Sequence, residues 1–308
     1  MRLLLLAVTL CAALPARADV YVLTAAGLGG DADYEQRFTQ LAADADRIFR
    51  NAGPGVHATT LSGKDATREE LTQRLRELAM QVSAQDDFVL LLIGHGSFDG
   101  TQYKLNLPGP DITAAELAGL CDAVPAKRQL IVDTTSASGG AVRALRRPGR
   151  ALITATKSGT EKNATVFARY WLEALQDPTA DVDKNDAISA LEAFRYATTK
   201  TAAFYESQKR LATEHAQFED TGAGEPVRAA TDAGEGRLLA SFTLIRLGAT
   251  PALAADPARR AWLTRKEQLE QQIDTLKYQR AAMSPEDYKR ELTQALLELA
   301  RVQAELDK

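Results

Sequence analysis

The chain has 308 residues, 45% of them hydrophobic and 25% charged, enough for one large domain with a full core plus an appendage. Its formal net charge is −4 and no basic block interrupts it, which argues against nucleic acid as a partner.

The first residues read as an export signal. Arg2 supplies a short positive region, Leu3 to Leu14 an apolar run, and Ala16-Arg17-Ala18 a small-x-small cleavage site. Cleavage after Ala18 makes the protein secreted or periplasmic. The run is too short to be a membrane span. Losing residues 1–18 removes two arginines and no acid, so the charge moves to −6. It also removes Cys11, leaving Cys121 without an intrachain disulfide partner. Cys121 follows Leu117 and Leu120 in a helical pattern and reads as a small buried hydrophobe.

The remainder alternates strand and helix. Val20–Leu23 is a strand, followed by a Gly-rich loop at Leu28-Gly29-Gly30. Phe38, Leu41, Ala45, Ile48 and Phe49 have helical spacing, and Asn51 to Gly55 stops that helix. Val56–Leu61 is a polar strand. Thr67 and Glu70 form a capping box before the helix Leu71–Val82, and Thr113 and Glu116 form another before a short helix reaching Cys121. Between them lie the apolar strand Phe88–Ile93 and a hairpin arm, Tyr103–Leu107. Gln129–Val132 and Arg150–Ala155 are strands, Asn163–Leu175 and the segment from Ser189 through Tyr205 are helices, and Leu238–Leu247 reads as a last strand. His57 reads as structural and His215 as a surface or capping residue. Glu219 to Pro226 reads as a flexible acidic loop. The alternation predicts an α/β domain over 19–247, a mostly parallel sheet with helices on both faces.

Two strands carry the chemistry. Phe88–Ile93 runs into Gly94-His95-Gly96, and Gln129–Val132 into Asp133-Thr134-Thr135-Ser136-Ala137-Ser138-Gly139-Gly140. Apolar runs of this kind are strands buried on both faces, and parallel sheets carry reactive groups beyond the carboxyl ends of their strands. His95 is then a base and Ser136, or alternatively Thr135, a hydroxyl nucleophile. Such a pair needs a third group to orient the imidazole, and Asp133 and Asp99 are the nearby acids. Backbone N–H groups of Gly96 and Ser136 are the candidate oxyanion donors.

Further on, Asp181, Asp183, Asn185 and Glu192 occupy positions 1, 3, 5 and 12 of a calcium-loop spacing. Asp186 stands where that loop has Gly, which makes the turn harder. The alternative is a solvated acidic loop whose Ser189 and Glu192 cap a helix. No cofactor is required; calcium is the candidate ion. An Ala- and Pro-rich linker, 248–257, precedes a helical hairpin over 258–308. Tyr288, Leu292, Ala295, Leu299, Val302 and Leu306 repeat at 4-3-4-3-4 spacing, and Trp262, Leu269, Ile273, Leu276 and Met283 make a matching stripe. Ser284-Pro285 breaks the two. The hairpin is either a cap on its own domain or a device for docking or self-association.

The motifs Gly94-His95-Gly96 and Ser138-Gly139, 41 residues between His95 and Ser136, resemble the caspase and legumain superfamily of cysteine peptidases, clan CD, which includes the C13 peptidases. The interval is legumain-like and shorter than the roughly 50 residues of caspases. The resemblance covers about residues 19–247 and implies that fold. It puts Ser136 where the family has its nucleophilic Cys, and the acid stands one place early, at Asp133 rather than Thr134. A hydroxyl does not ionise near neutral pH as a thiol does. The resemblance therefore implies a catalytically silent pseudopeptidase that binds a peptide or protein partner. The alternative is a hydrolase using Ser136 or Thr135 with His95.

Overall fold

A computed structural model describes residues 19–231, 234–247, 256–280 and 283–307. The expected export signal and most of the expected linker lie outside the described residues. Among the described residues, no helix is long and apolar enough to cross a membrane.

The elements run β1 Val20–Ala26, α1 Ala32–Arg50, β2 Val56–Leu61, α2 Arg68–Gln81, β3 Asp87–Ile93, β4 Gly96–Phe98, β5 Tyr103–Leu105, β6 Ile112–Thr113, α3 Ala114–Asp122, β7 Arg128–Asp133, α4 Val142–Leu145, β8 Arg150–Thr154, α5 Phe167–Ala174, β9 Ala187–Ser189, α6 Ala190–Ser207, β10 Gln217–Glu219, α7 Arg237–Ser241, β11 Thr243–Arg246, α8 Pro257–Gln279 and α9 Pro285–Leu306. A six-stranded sheet in the order β2-β1-β3-β7-β8-β10 forms the centre, parallel throughout except for the antiparallel edge strand β10. This is a mixed α/β fold with helices flanking the sheet and a C-terminal helical segment.

Strand β3 is buried at every residue, and its alternate side chains enter two different cores. Val89, Leu91 and Ile93 pack with Phe38 of α1, Phe167 of α5 and Phe194 of α6. Phe88, Leu90 and Leu92 pack with Leu71 of α2, Leu117 of α3 and Leu145 of α4. That two-sided burial is why the strand is a continuous apolar run rather than an alternating one. Arg150, also enclosed, donates to the Gln129 Oε1 (2.9 Å), the Leu145 carbonyl (2.7 Å) and Asp122 (2.7 Å), tying β7, β8 and α4 together below the rim.

Thr113 and Ser189 close complete capping boxes with Glu116 and Glu192, as their spacing predicts. Thr67 caps α2 by accepting the Glu70 N–H at 3.1 Å. Two stretches differ from expectation. Leu238–Leu247 is a short helix followed by a strand, because the buried Asp220 carboxylate accepts the N–H groups of Gly236, Leu238 and Leu239 and seeds the turn of α7. Strand β11 then pairs with β9 and not with the main sheet. The segment read as a flexible acidic loop begins inside β10. Glu219 there is buried and accepts the N–H groups of Thr221, Gly222 and Gly224, so its charge is spent within the turn.

Helices α8 and α9 form a pair joined by Arg265 to Glu298 and by a shared core of Leu263, Leu269, Val302 and Leu306. Ala295, Ile273 and Leu276 are buried as the repeat predicts, whereas Trp262 is 40% exposed and Leu263 takes its place inside. Lys266 Nζ donates to the Asn185 carbonyl at 3.3 Å, a contact between the pair and the acidic loop.

Candidate functional site

The site lies where the carboxyl ends of β1, β3, β7 and β8 meet their following loops. In the register of β3 and β7, Leu92 stands opposite Asp133, which brings the His95 and Ser136 turns to the same rim. Gly96 is the point of contact. A Cβ added there would come within 2.4 Å of the Ser136 carbonyl oxygen and 2.5 Å of the Tyr103 ring, so only glycine permits the two turns to touch.

That contact occupies Ser136. Its hydroxyl donates to the Gly96 carbonyl at 3.0 Å and accepts the Gly96 N–H at 3.1 Å. The side chain is buried, with 2% of the residue's surface exposed. The Gly96 N–H, one of the two candidate oxyanion donors, is thereby used.

His95 packs on α1. Its ring packs edge-on against Tyr34 (4.8 Å between centroids) and Phe38 (5.0 Å) on α1. Burial pulls its pKa below the ordinary imidazole value, while the Gly29 backbone and the Asp31 charge draw it part of the way back. No hydrogen bond joins His95 to Ser136, Asp133 or Asp99. Asp99 instead accepts the N–H groups of Thr101 and Gln102, and these hold its carboxyl below the usual range.

Beneath the two turns is a closed polar chain. Asp133 Oδ1 accepts the Thr135 N–H (3.1 Å) and hydroxyl (2.7 Å), and the Thr135 oxygen lies 2.6 Å from the Tyr103 hydroxyl. With the Thr135 proton given to Asp133, Tyr103 is the donor in the last bond. Thr135, the alternative nucleophile, is entirely enclosed. Asp133 Oδ2 has no hydrogen-bond partner, and burial pushes the carboxyl up to about 6. Cys121 is walled in on α3, its thiol pushed up to about 12 by burial, far from thiolate chemistry.

Sequence reasoning passed over one pair at this rim. His215 Nδ1 lies 2.5 Å from Glu161 Oε1, and the Glu161 carboxylate also accepts the N–H groups of His215 and Lys157. The Ala137 N–H donates to the Glu161 carbonyl at 2.8 Å, so this acid–imidazole pair adjoins the residue after Ser136. Fifty-four residues separate the partners, and no local motif announces them.

The calcium-spaced loop sits elsewhere, between α5 and α6. Oxygens of Asp181, Asp183 and Glu192 lie within 4.8 Å of one another, a cluster able to hold a divalent ion such as calcium. Asp186, where such loops have Gly, adopts φ +65°, so an acid takes the turn that the spacing made doubtful. Glu192 Oε1 accepts the Val182 N–H at 2.9 Å and Oε2 the Ser189 N–H at 2.9 Å, closing the loop on itself. The Asn185 Oδ1 accepts the Ala187 N–H. Burial, then the neighbouring Glu192 and Asp181 charges, push Asp183 up to about 6.

No family model matches this chain. No curated protein matches it either. Among solved structures it is similar to protein GSU0716 from Geobacter sulfurreducens, at 14% identity and a TM-score of 0.42, over 68% of this chain and 95% of that one. It is similar to the Drosophila initiator caspase Dronc at 9% identity and a TM-score of 0.42, over 68% of this chain and 81% of that one.

Proposed function

We propose that this chain is an exported caspase- and legumain-like domain whose rim has given up catalysis and binds a peptide or protein partner. The observation that carries the reading is the Ser136 hydroxyl, both of whose hydrogen-bonding directions close on the Gly96 backbone. A serine nucleophile must pass its proton to a base during attack. Here the proton faces a carbonyl, and His95 is turned toward α1. The orienting acids are committed as well, Asp133 to Thr135 and Asp99 to its own loop.

A serine-directed fluorophosphonate probe tests this directly. The protein is expected to take up no more probe than Ser136→Ala, and Ser136→Ala is expected to bind the partner unchanged. Labelling that requires both Ser136 and His95 would establish the alternative, an active hydrolase. One observation favours that alternative: a lowered His95 pKa keeps the imidazole neutral, the form in which it accepts a proton.

Export is part of the proposal. Amino-terminal sequencing of the exported protein should begin at Asp19, and material beginning at Met1 would refute the cleavage. The helical pair over 258–308 is proposed as the self-association or docking device. A chain ending at residue 257 should fold and show a changed association state by light scattering; one that cannot fold makes the pair part of the domain's own core.

A further inference from the structure

A groove of about 430 Å³ opens beside the Ser136 turn. Gly139 and Val142 line it, with Arg143 from α4, Arg146 just past its end, Lys157 from the loop after β8, Gln217 from β10, and Glu225 and Pro226 from the loop after β10. Arg143 and Arg146 stand one helical turn apart, and the fold brings Lys157 to the same groove. They face one groove of a chain whose net charge is −4.

Their charges are poorly compensated. Arg143 is exposed and pairs with no acid among the described residues. Arg146 donates to the Gly224 carbonyl at 3.0 Å, which orients its guanidinium, but among the described residues its only acid is Glu225 at 3.7 Å, whose side chain is 93% exposed. An ion pair that open to water is weak. Lys157 Nζ lies 3.7 Å from Glu161, a carboxylate already holding the His215 imidazole and two N–H groups. The surrounding backbone is held in place. The Gln217 Nε2 donates to the Lys157 carbonyl at 3.1 Å, and Arg146 N–H closes the last turn of α4 on Val142 at 2.9 Å.

We propose that this groove binds a phosphate monoester, with Arg143 and Arg146 as guanidinium donors and Lys157 as the ammonium. A carboxylate carries one charge, which a single guanidinium meets. Three cations facing one solvated acid, Glu225, and one carboxylate shared with His215, Glu161, suit a dianion with three acceptor oxygens, the partner for which arginine forks are shaped. The assignment stands whether or not Ser136 is silent, since none of these cations bonds Ser136 or His95.

Calorimetric titration of the full chain with inorganic phosphate, a phosphoserine peptide and the same peptide unphosphorylated tests it. Both phosphate carriers should bind, more weakly as sodium chloride is raised. Arg143→Gln and Arg146→Gln should each weaken binding by roughly tenfold. Arg47→Gln, a remote exposed arginine on α1, should change nothing. Equal affinity for inorganic phosphate and the phosphopeptide identifies the free anion as the ligand, and a tighter phosphopeptide identifies a phosphorylated segment. Should either arginine variant fail to fold, Lys157→Gln, on an exposed side chain, carries the same test. No binding of either carrier at low salt, equal binding of the unphosphorylated peptide, or undiminished binding in folded variants would overturn the assignment.

Discussion

Asp133→Asn is expected to raise the melting temperature at pH 7.5 and to lose that advantage at pH 4.5. The Asp133 carboxyl is pushed up to about 6 from an ordinary 3.8, because burial disfavours its charge and the Thr135 and Tyr103 donors offset that only in part. Between those two values the folded state holds more protons than the unfolded chain. Stability therefore falls as pH rises through that window, and the whole cost is present above about pH 6. A shift of that size corresponds to about 3 kcal/mol at neutral pH. Asparagine keeps the oxygen that Thr135 bonds and removes the charge. Its amide nitrogen then stands where Oδ2 has no partner, which takes back about 1–2 kcal/mol. The net gain is about 1–2 kcal/mol, or roughly 3–6 °C for a domain of this size. Burial also raises the carboxyls of Asp183, Glu214 and Asp220, so the comparison must be variant against parent at each pH. A melting difference that is the same at both pH values would show that Asp133 is not the titrating group.

Calcium is expected to raise the melting temperature by about 5–10 °C at a hundredfold excess over its dissociation constant, since an ion that binds only the folded state adds about 2.7 kcal/mol there. Crowding of carboxylates is the cause. Asp181, Asp183 and Glu192 bring three carboxylates together, and Asp183 is pushed up to about 6 by burial and by its two neighbours. A divalent cation removes that repulsion and replaces the N–H bonds that now close Glu192 on Val182 and Ser189. Below about 6 Asp183 takes up a proton, a ligand charge is lost, and the calcium shift should shrink. Asp183→Asn should abolish most of the shift at pH 7.5 while leaving the fold intact, because the amide keeps the shape of the carboxylate and removes its charge. Identical melting curves in millimolar calcium and in chelator would remove the ion from the account and leave a self-capped acidic loop.

Both sites show where local signals suffice. The calcium spacing was readable because all four residues fall within twelve positions, and Ser189 and Glu192 form their capping box within a single helical turn. The turn at Asp186 was less readable. Sequence suggests that an acid there resists the bend, yet Asp adopts the left-handed region more readily than branched or bulky residues, and the pairing of β9 with β11 holds the following residues in place.

By itself, the sequence determined the elements whose burial is written in their own period. Strands β3 and β7 are continuous apolar runs because they are covered on both faces, and α1, α3 and α6 carry their stripes and caps within reach of a few residues. It also determined that His95 and Ser136 share a rim, because parallel strands end on the same side. Only the tertiary structure decided what those groups do there. The Ser136 hydroxyl closes on Gly96 forty residues away, Asp220 turns an apolar run into α7, and His215 finds Glu161 across two loops. The cations of Arg143, Arg146 and Lys157 meet in one groove by the same means. The physical reason is that a hydrogen bond or a charge acts over a few ångströms regardless of separation along the chain. Side-chain period records which face of an element is buried and carries no record of which distant polar group meets it.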